Sequence, residues 1–232
     1  MKEFPVSGEE ITSSPRGSSQ SPILDPKSPP IIRRLGVVPY RSAYEEMRRF
    51  TSTRTPATPD ELWIVQHPAV YTVGIAGRPE HFPKSTSIAL ERIDRGGQIT
   101  YHGPGQVLVY TLLDMTRQGL KVRELVHLLE QAAIDMLDLH GIRAERRSGA
   151  PGVYVDGAKI AALGLRVRAG RCYHGIALNV DMDLAPFLAI DPCGYPGLRV
   201  TQTSALGIAA DPVEMGEALA QAIARLLGER HG

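Results

Sequence analysis

Apolar positions along most of this chain recur at one of two spacings, and the spacing predicts the element. Tyr44, Met47 and Phe50 fall at helical intervals behind Ser42 and Glu45, a pairing that predicts a capping box opening a helix over 43–51. From 121 to 139, Leu125, Leu128, Leu129, Ala132, Met136 and Leu139 hold one helical face, and Gly141 stands just past its end. A third helix is expected over 212–227, with Asp211 as cap, Pro212 at the first position and Glu214 as capping-box partner. Short apolar runs predict strands at 62–66 and 70–73, parted by Pro68, and at 107–113. Residues 142–180 read as strands joined by tight turns, with Asp156-Gly157 the stronger hairpin signal and Ala169-Gly170 the weaker. Helices mixed with hairpin-forming strands, without βαβ regularity or internal repeat, predict an α+β domain. Its sheet would be mixed or largely antiparallel, with flanking helices.

The patterning fails in two places. Residues 1–30 are dominated by Ser, Pro, Gly and charge, a composition that cannot bury enough apolar surface to offset its ordering entropy. That stretch reads as a disordered tail, leaving 31–232 as the folded domain. Residues 185–198 form a second interruption, a loop rich in Pro and Gly.

Composition narrows the class. Of 232 residues 43% are hydrophobic and 22% charged, the balance of a globular protein able to bury a substantial core. Lys and Arg number 26 against 25 acidic residues, so net charge gives no reason to expect nucleic acid or membrane partners. No run approaches the ~20 apolar residues of a membrane-spanning helix, and Met1–Pro30 lacks the apolar core of a secretory signal. The expectation is a cytoplasmic protein with reduced thiols. The two cysteines, Cys172 and Cys193, form no CxxC pair. His174 lies two residues from Cys172 on one predicted strand face, but two ligands do not make a metal site and no third is clustered with them. No metal is expected.

Three segments carry candidate chemistry. The first is Arg95-Gly96-Gly97-Gln98-Ile99-Thr100-Tyr101-His102, continuing through Gly103, Gly105 and Gln106. Its glycines allow close backbone approach to a ligand, and Arg95, Thr100, Tyr101 and His102 add a cation, hydrogen-bonding groups and a ring. The spacing matches neither GxGxxG nor a Walker loop, and a plain glycine-rich hairpin stays open as an alternative. The second is Lys159, which follows a turn and enters the apolar run Ile160–Leu165; it is either a solvated edge charge or a cation drawn into a pocket. The third is Cys193, in Asp191-Pro192-Cys193-Gly194-Tyr195-Pro196-Gly197. A thiol in such a loop has little packing value and, beside a cation, can ionise to a nucleophile. Cys172, inside a predicted strand, reads as a small buried hydrophobe. His102 and His174 are candidate general bases, and the remaining histidines read as structural or solvent-facing. Arg146, Arg147, Arg166, Arg168 and Arg171 are candidates for a basic docking surface.

Taken together, RGGQITYHGPGQ, AKIAALGLRV, HGIALNV and DPCGYPG resemble, in order and over roughly 31–228, the motifs of the lipoyl (octanoyl) transferases. The resemblance implies the catalytic fold of biotin and lipoate protein ligases. It implies an octanoyl group moved from octanoyl-acyl carrier protein to lipoyl domains of 2-oxoacid dehydrogenase E2 subunits and of glycine cleavage H protein. It further implies Cys193 as acyl-thioester nucleophile and Lys159 as the residue that lowers its pKa. Arg95–His102, Ala162, Leu163 and Gly164, and Gly175, Ile176 and Ala177 would line the acyl pocket of a monomer that uses neither cofactor nor metal. Ala162 stands where some relatives place Ser. Two rival readings are an ATP-dependent lipoate or biotin ligase, and an amidotransferase that moves octanoyl between lipoyl domains.

Overall fold

Alternation of side chains along the central strands divides this protein into layers. The computed structural model describes Asp25 and residues 28–191 and 197–230. Among the described residues there are ten strands: β1 Ile31–Val37, β2 Glu61–Gln66, β3 Val70–Val73, β4 Ala89–Arg92, β5 Ile99–His102, β6 Gln106–Asp114, β7 Glu145–Arg146, β8 Val153–Val155, β9 Ala158–Arg168 and β10 Arg171–Asn179. Three helices join them: α1 Tyr40–Thr53, α2 Val122–Asp138 and α3 Pro212–Glu229. The main sheet runs β1-β2-β6-β10-β9-β8-β7, and a smaller one runs β4-β3-β5. β1 pairs with β2 and β4 with β3 in parallel, and the other pairings are antiparallel, so the sheet is mixed as expected.

On β2 and β6, Leu62, Ile64, Val107 and Val109 face α2 and α3, while Trp63, Val65, Leu108 and Tyr110 face α1. That period of two is what lets one sheet serve two cores. The hairpin signals hold: Asp156 and Gly157 both take positive φ between β8 and β9, as do Ala169 and Gly170 between β9 and β10. One local expectation needs correction. α1 begins at Tyr40 with Pro39 before it and no side-chain cap, so Ser42 and Glu45 lie inside the helix. The Pro39 carbonyl takes the first helical bond, from the Ala43 amide, which starts the helix three residues early. At the start of α2 the Lys121 backbone amide donates to the Glu124 carboxylate (3.0 Å). At α3 the cap is as expected, the Asp211 side chain accepting from the Val213 amide. The 1–30 tail, apart from Asp25 and residues 28–30, and Cys193 lie outside the described residues.

Candidate active site

The glycine-bearing stretches Arg95–His102, Ala162–Gly164 and Gly175–Ala177 converge. Gly164 on β9 pairs with Gly175 on β10, and the Arg95–His102 stretch crosses above them, tied down by a hydrogen bond from the Gly96 amide to the Leu165 carbonyl (2.9 Å). Glycine is required here on steric grounds. A Cβ on Gly175 would sit 2.0 Å from the Val109 carbonyl oxygen, and one on Gly164 would meet the Arg95 side chain at 2.7 Å. Between these walls runs a narrow slot, closed down to about 50 Å³ in this structure. Of the residues the sequence nominated, Arg95, Gly97, Gln98, Ile99, Thr100, His102, Ala162, Leu163, Gly164, Gly175, Ile176 and Ala177 line it. Tyr101 does not; its ring packs with Tyr71 and Phe187 in a separate cluster. Gly96 and Lys159 also stand outside the lining, whereas Tyr40, Leu108, Tyr110 and His174 join it.

His102 is not a free base. Gln106 donates through Nε2 to Asn179 Oδ1 (2.9 Å) and to the Tyr101 carbonyl (3.3 Å), so its Oε1 must accept from His102 Nδ1 (2.7 Å). His102 Nε2 then accepts from the Thr72 hydroxyl (3.1 Å), which in turn accepts from Arg95 Nη2 (2.9 Å). Both ring nitrogens are taken, Nδ1 by Gln106 and Nε2 by the Thr72 hydroxyl that Arg95 also bonds, and burial pushes the imidazole down to about 3. His67, bonded to the Val38 carbonyl and the Tyr110 hydroxyl, is pushed down by burial to about 4. These shifts predict an acid-side loss of stability. Both folded values lie below the unfolded value of about 6.5, so the unfolded chain takes up protons first. Stability is therefore full above that pH and falls as pH drops toward the folded values. Each residue should cost about 2 kcal/mol of unfolding free energy between pH 8 and pH 5. Urea unfolding at the two pH values checks this: His102→Gln should show a smaller drop than wild type, and an unchanged wild-type midpoint would contradict it.

His174 departs from strand geometry. Its φ of +65 takes it out of the alternation, its carbonyl accepts from the Thr111 hydroxyl (3.1 Å), and its ring stacks between Tyr44 and Tyr173. A left-handed conformation at a residue other than glycine costs on the order of 1–3 kcal/mol. Cys172 meanwhile stays in the opposite core with α2 and α3. The two side chains therefore do not form a metal-ligand pair, and no cluster of three His, Cys, Asp or Glu ligands exists among the described residues. His174 Nε2 contacts Asp94 (3.2 Å), and Tyr173 donates its hydroxyl to the same carboxylate. Partial burial alone would raise the Asp94 carboxyl, but the bonds from His174 and Tyr173 outweigh it and hold the group well below the usual range. His174 Nδ1 and Gln98 Oε1, both on slot-lining residues, are buried without a partner among the described residues. The Asp94–His174 pair was not legible in the sequence, because two residues eighty positions apart carry no spacing signal.

Lys159 is buried, only 3% exposed. Its Nζ donates to the Pro151 carbonyl (3.1 Å) and stands 5.2 Å from the centre of the Tyr154 ring. The Lys159 backbone also pairs with the segment that returns from the Cys193 loop: its amide bonds the Arg199 carbonyl (2.8 Å), and its carbonyl accepts from the Thr201 amide (2.9 Å). The other described end of that loop is fixed as well, Asp191 contacting His81 Nδ1 at 2.9 Å. Cys172 is fully buried, and burial pushes its thiol up to about 12, which makes it a poor nucleophile.

Residues 39–224 match the lipoyl protein ligase A/B catalytic domain. The octanoyltransferase of Aromatoleum aromaticum is 56% identical over 96% of this chain and 95% of its own, and that of Dechloromonas aromatica is 57% identical over 88% and 100%. The chain belongs to the lipoyl protein ligase A/B catalytic-domain family, among its octanoyltransferases. Solved structures agree on the fold. A bipartite lipoate protein ligase from Thermoplasma acidophilum superposes with a TM-score of 0.69 at 18% identity, over 86% of this chain and 84% of that one. Biotin protein ligase from Aquifex aeolicus gives 0.53 at 14%, over 86% and 71%. The expected fold, that of biotin and lipoate ligase catalytic domains, is the one observed.

Proposed function

We propose that this octanoyltransferase-family chain moves an octanoyl group from octanoyl-acyl carrier protein to a lysine of lipoyl domains, through a thioester on Cys193. The observation that carries this reading is the buried Lys159, hydrogen-bonded through its backbone to the segment that closes the Cys193 loop. A buried ammonium favours an anion beside it, and a cysteine thiolate is that anion. The thiolate attacks the donor carbonyl, the C–S bond to the carrier breaks, and the carrier thiolate leaves and takes up a proton. The narrow apolar slot receives the alkyl chain. The amine of the target lysine then attacks the Cys193 thioester, the new amide forms, and the Cys193 thiolate leaves. Lys159, left as an amine once its proton has gone to the departing carrier thiolate, takes the proton lost by the attacking nitrogen and is again the ammonium beside the freed Cys193 thiolate.

Lipoyl domains of 2-oxoacid dehydrogenase E2 subunits and glycine cleavage H protein are the acceptors in this reading. The working unit is a cytoplasmic monomer whose catalytic domain spans 31–232. No described helix is long and apolar enough to cross a membrane. The rival ligase chemistry activates its acid with ATP and needs no cysteine. Purified protein, octanoyl-acyl carrier protein and an apo lipoyl domain should therefore give octanoylated domain without ATP or Mg²⁺. An absolute requirement for ATP contradicts the proposal, and turnover only with an octanoylated lipoyl domain as donor points to the amidotransferase.

A further inference from the structure

The basic residues nominated from sequence do not form one surface. Arg146 pairs with Glu130 at 3.2 Å, and Arg168 and Arg171 flank the β9–β10 turn, roughly 30 Å along the strand from Lys159. Arg147 behaves differently and meets an arginine not singled out before, Arg199. Their Nη2 atoms lie 2.9 and 3.5 Å from the point where a side chain on Gly157 would begin, and Gly157 (φ +78) leaves that space open. Arg199 donates to the Asp156 carbonyl (2.7 Å), and Arg147 lies 4.7 Å from the centre of the Tyr154 ring. Among the described residues no carboxylate pairs with either guanidinium. The same Tyr154 ring carries Lys159 Nζ, so the pair sits one ring away from the buried lysine. A cleft of about 320 Å³ opens there, with both arginines in its wall.

Two guanidiniums held this close repel each other, and an anion between them turns that repulsion into attraction. Guanidinium forks match the oxygens of phosphate in particular. We infer that Arg147 and Arg199 bind the phosphodiester of the phosphopantetheine arm on which the donor's acyl thioester is carried. This inference rests on the carrier-protein donor proposed above.

The test compares octanoyl-phosphopantetheine with octanoyl-pantetheine as small-molecule donors, which differ only by the phosphate. Wild type should favour the phosphorylated donor about 10-fold or more in kcat/KM, the range of a charge-assisted bond. In the Arg147→Ala, Arg199→Ala double variant that preference should fall to near unity. Its kcat with octanoyl-pantetheine and its KM for the lipoyl domain should stay at wild-type values, which also shows that the variant folds. Equal use of both donors by wild type, or a preference retained in the double variant, overturns the inference. A KM rise confined to the lipoyl domain overturns it too, by assigning the arginines to the acceptor. Failure of the transfer reading looks different: neither donor, nor octanoyl-acyl carrier protein, then acylates Cys193 of the wild type.

Discussion

Cys193→Ala is expected to lower octanoyl transfer by about 10⁴-fold or more, because removing a covalent nucleophile leaves only the contribution of binding. Cys172→Ala is the matched control. That thiol is fully buried against Thr111, and its ionisation is disfavoured by burial. Its replacement should cost stability on the order of 1 kcal/mol and leave activity within about twofold. Initial rates with octanoyl-acyl carrier protein, on variants whose folding is confirmed by thermal melts, separate the two cases. Comparable losses in both variants, both folded, would remove Cys193 from the mechanism.

Lys159→Met should be nearly as damaging, by about 10²–10⁴-fold in kcat/KM, and for an electrostatic reason. Methionine preserves most of the packing on Tyr154 but removes the ammonium. An isolated thiol ionises near 8.5, and a cation within ~4–6 Å lowers that by roughly 1–3 units. The pH profile of Cys193 alkylation should therefore move upward in the variant by a similar amount. Lys159→Arg divides the role in two, since it keeps the charge but cannot accept a proton. It should form the acyl-enzyme at a rate near wild type and then stall on transfer to the lysine. Alkylation profiles that coincide in wild type and Lys159→Met would show that the lysine does not act on the cysteine. His102 could not replace it, because both of its ring nitrogens are already bonded to Gln106 and Thr72.

Legibility in the sequence followed the range of the interactions involved. β3, α2 and both positive-φ turns could be read because period, caps and turn residues are local. β1 was missed: its run Ile-Ile-Arg-Arg-Leu-Gly-Val has no clean alternation, and it gains its identity only by parallel pairing with β2. β4 was missed for the same reason, since four mostly exposed residues become a strand only beside β3. The acyl slot was legible as motifs but not as geometry. Tyr40 and Tyr110 enter it from elements that carried no motif, and Tyr101 leaves it by strand alternation for the Tyr71–Phe187 cluster. His174 is the sharpest case. Alternation predicts that it shares a face with Cys172, and a single positive φ turns it to the α1 side, where Asp94 and Tyr44 hold it.

The central claim is that the acyl group rests on one particular sulfur between donor and acceptor. The direct measurement is peptide mapping by mass spectrometry of wild-type protein mixed with octanoyl-acyl carrier protein, quenched in acid before any acceptor is added. The account predicts an octanoyl adduct on the peptide bearing Cys193, cleaved by neutral hydroxylamine as a thioester and discharged when lipoyl domain is supplied. Octanoyl found on Cys172, or product formed in a full reaction while Cys193 stays unmodified throughout single turnover, would contradict it.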